Sequence, residues 1–347
     1  MFPDWAYRKK ITITGETGAG TDYQVKLLIT ATTGGDFDLE GNSANFPAAK
    51  NDGGDLRFSN DAQDTELSFW VESVVSGVAT VWVKVGENLD TNKDIYVYYG
   101  NSGATNGSDG EDTFILFDDF DSATLDAAKW VYGTISGTTI TKNTQYGISS
   151  SVFSQNRSGS TYDFFTTADA INPLGGGRAC IIGKSRLAST SLGTHLIGFY
   201  AGKDSDLELN YDTPRMVLAT AWNYRENRMI TRKDISDGHT HTWSGLLSGS
   251  FVNNRRHVQM KMRPNGVWSM EIDASEIYSD SGYTTDTYGT FRNQRYGSQS
   301  NGNNEWDYIA VRKLANTEPD FSSASAEEAN GSGTAAQVAR RGVIMMM

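Results

Sequence analysis

At 347 residues the chain has room for about two domains of ordinary size, each able to bury a core without covalent staples. One cysteine, Cys180, excludes an internal disulfide framework, and a net charge of −12 with only short basic groups such as Arg255-Arg256 and Arg340-Arg341 argues against a nucleic-acid partner. No apolar run approaches the roughly 18 residues of a membrane-spanning helix, and 36 glycines against 6 prolines, with plentiful Thr, Ser, Tyr and Trp, suit strands joined by tight turns.

In chain order, Met1-Phe2-Pro3-Asp4-Trp5 runs straight into a strand pattern with no apolar signal-peptide core. That start is expected of a chain assembled inside a cell, as a virion component is, or of one whose leader has been replaced by Met. Lys10 to Ile13 and Val25 to Ile29 alternate as strands across the Gly-rich turn Gly15 to Thr21. That turn lacks the Gly-Lys-Ser/Thr ending of a phosphate loop and predicts a hairpin. Asp55 to Phe58 is a short third strand. Leu67 to Val75 and Ala79 to Val85 flank the hairpin turn Ser76-Gly77, and Asp94 to Tyr99 closes a β-sandwich over residues 1–102. The small polar residues 103–113 are the expected linker.

A second β region runs from 114 to 315. Its clearest unit is a meander: His257 to Met262, the turn Arg263-Pro264-Asn265-Gly266, Val267 to Asp273, then Glu276 to Tyr278. Residues 316–347, rich in Ser, Ala and Gly, are expected to form a flexible tail or an arm docking on a neighbouring subunit.

Two resemblances emerge. Trp5-x-Tyr7-Arg8-Lys9, Asp22-Tyr23-Gln24-Val25, Asp55-Leu56-Arg57-Phe58, Val81-Trp82-Val83-Lys84-Val85 and Tyr98-Tyr99-Gly100-Asn101 occur in that order. Their succession resembles the domain of unknown function two-three-four-one, a family of prokaryotic cell-surface and viral proteins with no assigned activity. Phe117-Asp118-Asp119-Phe120, Trp130, the Trp268-to-Asp273 hairpin and Glu305 to Lys313 make the second region similar to a concanavalin A-like, laminin-G-type jelly roll. The resemblances imply an all-β chain of two consecutive antiparallel β-sandwiches with a short tail. Such folds host lectins, glucanases and structural pieces alike, so function must come from a site.

Glu271-Ile272-Asp273-Ala274-Ser275-Glu276 is similar to the catalytic strand of laminarinase- and lichenase-type β-glucanases, where two Glu act as nucleophile and acid/base and the Asp tunes them. Asp273-Ala274-Ser275 also reads as a hairpin tip, with Glu276 opening the next strand away from the face of Glu271. Asp118 and Asp119, with Asp307, are candidate ligands of a structural Ca²⁺; otherwise they cap turns. His239-x-His241 has no evident third ligand and reads as surface histidines.

Sugar recognition wants aromatic platforms beside planar polar groups. Trp222, Tyr224 and Arg225 supply both, as do Tyr288, Arg292, Asn293 and Tyr296, and core or edge roles are the plainer alternative. The expected function is a non-catalytic structural or adhesive protein of a virion or prokaryotic cell surface. It would present a lectin-like domain to a glycan or receptor and assemble as a homo-oligomer or with other particle proteins. A carbohydrate-binding module and a glycoside hydrolase are the alternatives.

Overall fold

The structure, a computed structural model, describes residues 1–31, 34–42, 54–121, 126–134, 139–143, 152–156, 163–167, 179–187, 194–201, 216–223, 228–235, 238–246, 256–280, 289–296 and 304–330. The chain divides into two compact units. Met1–Phe114 together with the segment from Ala315 onward forms one, and Ile115–Leu314 forms the other.

The first unit opens with β1 (Tyr7–Thr14), β2 (Tyr23–Thr30), β3 (Phe37–Asp38) and β4 (Arg57–Asn60). It continues through β5 (Glu66–Leu67), β6 (Phe69–Val75), β7 (Val78–Val85), β8 (Lys93–Tyr99) and a single helical turn, α1 (Gly110–Thr113). The second unit begins with β9 (Leu116–Asp118), β10 (Trp130–Thr134), β11 (Thr139–Asn143), β12 (Val152–Asn156) and β13 (Asp163–Thr167). Then come β14 (Cys180–Leu187), β15 (Thr194–Ala201), β16 (Met216–Asn223), β17 (Arg228–Ile235) and β18 (Gly238–Leu246). The unit closes with β19 (Arg256–Met262), β20 (Trp268–Ile272), β21 (Ser275–Asp280), β22 (Gly289–Tyr296) and β23 (Asn304–Arg312). Two last strands, β24 (Asp320–Ala324) and β25 (Glu328–Ala329), belong to the first unit.

The chain is all-β. In the first unit, sheet β24-β1-β8-β4-β5, with β25 also on β1, faces sheet β3-β2-β7-β6. Alternation builds the core: Ile11 and Ile13, Val25, Leu27 and Ile29, Val81 and Val83, Ile95 and Val97 occupy every second position and are fully buried. Lys9 continues the inward row of β1. Its ammonium, 3.1 Å from Glu40 and 3.7 Å from Asp38, is neutralised where it leaves water. The β6–β7 hairpin turns at Ser76-Gly77, both with positive φ (51° and 82°), the geometry that matches strand twist.

Residues 103–113 are not a free linker. Ser108 Oγ accepts from Val71 N at 2.9 Å, Asp109 N donates to Phe69 O at 2.8 Å, and Thr105 O accepts from Arg57 at 2.8 Å. Their short polar groups satisfy the edge of β6, which would otherwise present unpaired backbone. The tail is corrected more sharply. Residues 320–329 pair with β1, Ile11 opposite Ala324 and Tyr7 opposite Ala329, so the second sandwich is inserted within the first rather than following it. Residues 331–347 lie outside the described residues.

Among the described residues the second unit has two antiparallel sheets: seven strands, β10-β13-β22-β15-β16-β17-β18, and eight, β11-β12-β23-β14-β19-β20-β21 with β9 on β23. The expected jelly roll is this pair. Gly183 in β14 is required by packing, since a Cβ there would come within 2.7 Å of the Trp306 ring. No helix among the described residues is long and apolar enough to cross a membrane.

Candidate functional site

The acidic set sits on the meander β19-β20-β21. Gly266, at φ 78°, closes the Arg263–Gly266 turn, and Asp273 and Ala274, at φ 47° and 64°, form the tight turn between β20 and β21. Asp273 fastens that tip to β19: its N–H donates to His257 O at 3.0 Å, and its Oδ1 accepts from His257 N at 3.1 Å. The aspartate thus serves the backbone as turn residues of its type commonly do.

Glu271 is therefore separated from Glu276 by a strand reversal, as the hairpin reading expected. That reading is corrected in one respect. Register runs from Met270↔Tyr278 to Glu271↔Glu276, so a one-residue bulge at Ile277 sets the two glutamates directly opposite each other. Like charges so placed repel, and a cation relieves them: Lys261 Nζ lies 2.6 Å from Glu271 Oε1, with side chains only 11% and 15% exposed. Glu276 is exposed. Nearby, Arg263 donates to the buried Ser269 Oγ at 2.8 Å.

Lys261 was missed from the sequence, although counting outward from the Pro264-Asn265-Gly266 turn pairs it with Ser269, one diagonal step from Glu271. The arrangement holds one carboxylate in an ion pair, one in a turn and one in solvent.

At the start of the unit, Asp118 spends both oxygens on N–H donors. Oδ2 accepts from Trp130 Nε1 at 2.5 Å and Oδ1 from Phe120 N at 2.7 Å. Phe120 is buried in the left-handed region (φ 57°), its ring 6.0 Å from Trp130, so the aspartate braces a strained corner. Asp119 Oδ1 accepts from Asp121 N at 3.1 Å; burial, then the charges of Asp121 and Asp118, push its carboxyl above the usual range. Asp307 lies on β23, two residues before Ile309, the partner of Asp118. Among the described residues no group of three or more His, Cys, Asp or Glu could hold a metal ion. In the expected calcium set, each oxygen of Asp118 already accepts one N–H bond.

Four of the proposed sugar-contacting residues, Trp222, Arg292, Asn293 and Tyr296, fall on the seven-stranded sheet. Trp222 on β16 is level with His195 on β15, which is level with Arg295 on β22. Tyr296 is level with Thr194, Asn293 with Ile197 and Arg292 with Gly198. Successive levels alternate between the faces of a pleated sheet. Trp222 and Asn293 therefore hold positions of one parity, Arg292 and Tyr296 of the other, a division that sequence grouping did not anticipate. Tyr224, Arg225 and Tyr288 lie outside the described residues, and His239 and His241 stand on β18.

The molecule is thus an all-β protein of two sandwiches, the second a jelly roll carried as an insertion. A family described as "Domain of unknown function (DUF2341)" matches residues 52–133. Among solved structures, the chain is similar to a glycoside hydrolase family 16 endo-glucanase from Bacteroides ovatus at 12% identity, over 57% of this chain and 99% of that one, with a TM-score of 0.43. The Bacillus licheniformis β-glucanase is similar at 10% identity over 57% and 98%, TM-score 0.41. The Emp46p carbohydrate recognition domain, metal-free form, is similar at 9% over 56% and 94%, TM-score 0.42. No curated protein matches the chain.

Proposed function

We propose that this protein is a structural or adhesive component of a virion or a prokaryotic cell surface, whose jelly roll holds glycans without cleaving them. The observation that carries the non-catalytic part is the occupation of the acids. A retaining glycosidase needs two carboxyl groups about 5–5.5 Å apart and free to act as nucleophile and proton donor. Here Glu271 is engaged by Lys261 at 2.6 Å and Asp273 by the His257 backbone at 3.1 Å.

Attachment to glycans is supported by residue types on two strands that flank β15 in the seven-stranded sheet, where each parity pairs an aromatic with a planar polar residue, Trp222 with Asn293 on one and Tyr296 with Arg292 on the other. On a glycan array the protein is expected to bind a defined set of structures, with loss in Trp222→Ala or Tyr296→Ala. A blank array removes the attachment reading.

One observation favours the hydrolase reading. Glu271 and Glu276 are a cross-strand pair, and such pairs stand about 4.5–5.5 Å apart at Cβ, the scale retaining chemistry uses. Reducing-sugar release from β-glucans that disappears in Glu271→Gln would establish it in place of passive attachment.

A further inference from the structure

The two ends of the described chain meet in one ladder. β1 is antiparallel to both β24 and β25, with Thr14 opposite Asp320 at one end and Tyr7 opposite Ala329 at the other. Beyond Tyr7, Asn330 N donates to Ala6 O at 2.9 Å, and the Asn330 amide donates to Phe2 O at 2.8 Å and Trp5 O at 3.0 Å. Arg8 adds a 3.1 Å ion pair to Glu328. The chain therefore enters and leaves at the same end of the sheet, and the whole of Ile115–Leu314 hangs in a loop closed by these contacts.

The closure repeats one level in. Leu116 of β9 stands opposite Val311 of β23, and Ile115 N donates to Val311 O at 2.9 Å, so the jelly roll's own ends are also neighbours.

We propose that β24 and β25 on β1 form a clasp. While closed, it shields the jelly roll from tension along the chain, and under load it opens before either sandwich unfolds. With Ala6 and Asn330 adjacent, a pull on the two ends separates them directly, and the ladder peels one bond at a time from Tyr7↔Ala329 towards Thr14↔Asp320. Bonds loaded in sequence resist less than bonds sheared together, and each is individually modest.

The segment is held by the Phe321 ring on Phe37 and by Glu327, which accepts from Tyr99 at 3.0 Å and Asn42 at 2.6 Å, more than by burial of its strands. Of β24 only Phe321 and Ala324 are partly buried, and both positions of β25 are exposed. Segments with few buried apolar groups open at low cost. After release β1 keeps its pairing with β8 across seven residues, Tyr7 to Ile13, so the sheet retains its centre. The inference stands on connectivity and does not depend on what the jelly roll binds.

The test is a pulling experiment on the full chain, with handles at residues 1 and 347, on the wild type and on Arg8→Cys/Glu328→Cys, whose crosslink is confirmed by intact mass. The wild type is expected to show a first low-force step releasing on the order of 40 Å, the length of residues 320–330 at about 3.4 Å each, before any larger event. The oxidised variant is expected to lose that step and regain it on reduction. A wild type that ruptures in one large first event, or an oxidised variant that keeps the small step, overturns the clasp.

Discussion

Lys261 Nζ sits 2.6 Å from Glu271 Oε1, across the β19–β20 ladder and next to a second glutamate, Glu276, on β21. The pair is largely shielded from water, so its members depend on each other. Lys261→Met removes the cation paired with Glu271 beside Glu276 and is expected to cost about 3 kcal/mol, as breaking shielded pairs does. Lys261→Met/Glu271→Met is expected to recover most of that loss. Urea unfolding of the two single variants and the double variant measures the coupling; additive losses would show the pair to be of no consequence.

Phe321, from the segment that follows the jelly roll, stacks on Phe37 of the first sandwich with ring centroids 5.8 Å apart. Phe321→Ala is expected to destabilise the first unit by about 2 kcal/mol, below the cost at a fully enclosed site because the ring is only partly buried. Hydrogen exchange read at β1 and β8 is expected to quicken while exchange in β19 and β23 stays unchanged.

Asp118 accepts from the buried Trp130 indole and from Phe120 N. Asp118→Ala removes the carboxylate acceptor from both donors and is expected to cost about 2–3 kcal/mol, with a red shift of tryptophan emission if the corner opens. With both oxygens engaged, millimolar calcium is expected to leave the wild-type melting temperature unchanged. A rise of several degrees, lost in Asp119→Asn, would show that the corner rearranges to take the ion.

The Asp119 carboxyl is raised above its usual range, chiefly by burial. The folded state then holds its proton to higher pH than the unfolded state, whose carboxyl titrates near 3.9. Between those two values the folded state binds more protons, so stability falls as pH climbs through the window, and the loss is complete above it. Asp119→Asn is expected to raise the melting temperature at pH 7 and to change nothing near pH 3. An equal effect at both pH values would assign the gain to something other than ionisation.

Much of this fold was legible because its signals are local. Ile11 and Ile13 announce a half-buried strand by alternation, and Ser76-Gly77 and Arg263 to Gly266 are turns whose chemistry fixes their conformation. The hairpin tip at Asp273-Ala274 was legible for the same reason, and it decided against three acids on one strand. The bulge at Ile277 was not legible, because one extra residue in a ladder leaves no mark in composition, yet it turned Glu271 and Glu276 into neighbours.

Least legible was the return of Asp320 to Ala329. Asp-Phe-Ser-Ser-Ala has one large apolar residue and little alternation, and its partner β1 lies about three hundred positions away, so the contact exists only in three dimensions. The split of Trp222 and Asn293 from Arg292 and Tyr296 was hidden likewise, since parity across β15 depends on register.

The decisive measurement is retention of β-glucan and host-type oligosaccharides on the immobilised protein, with mass spectrometry of what is eluted. Retained oligosaccharides are expected to come off at their starting masses, and Trp222→Ala is expected to retain less. Shortened products that vanish in Glu271→Gln would contradict a protein that holds sugars without cutting them.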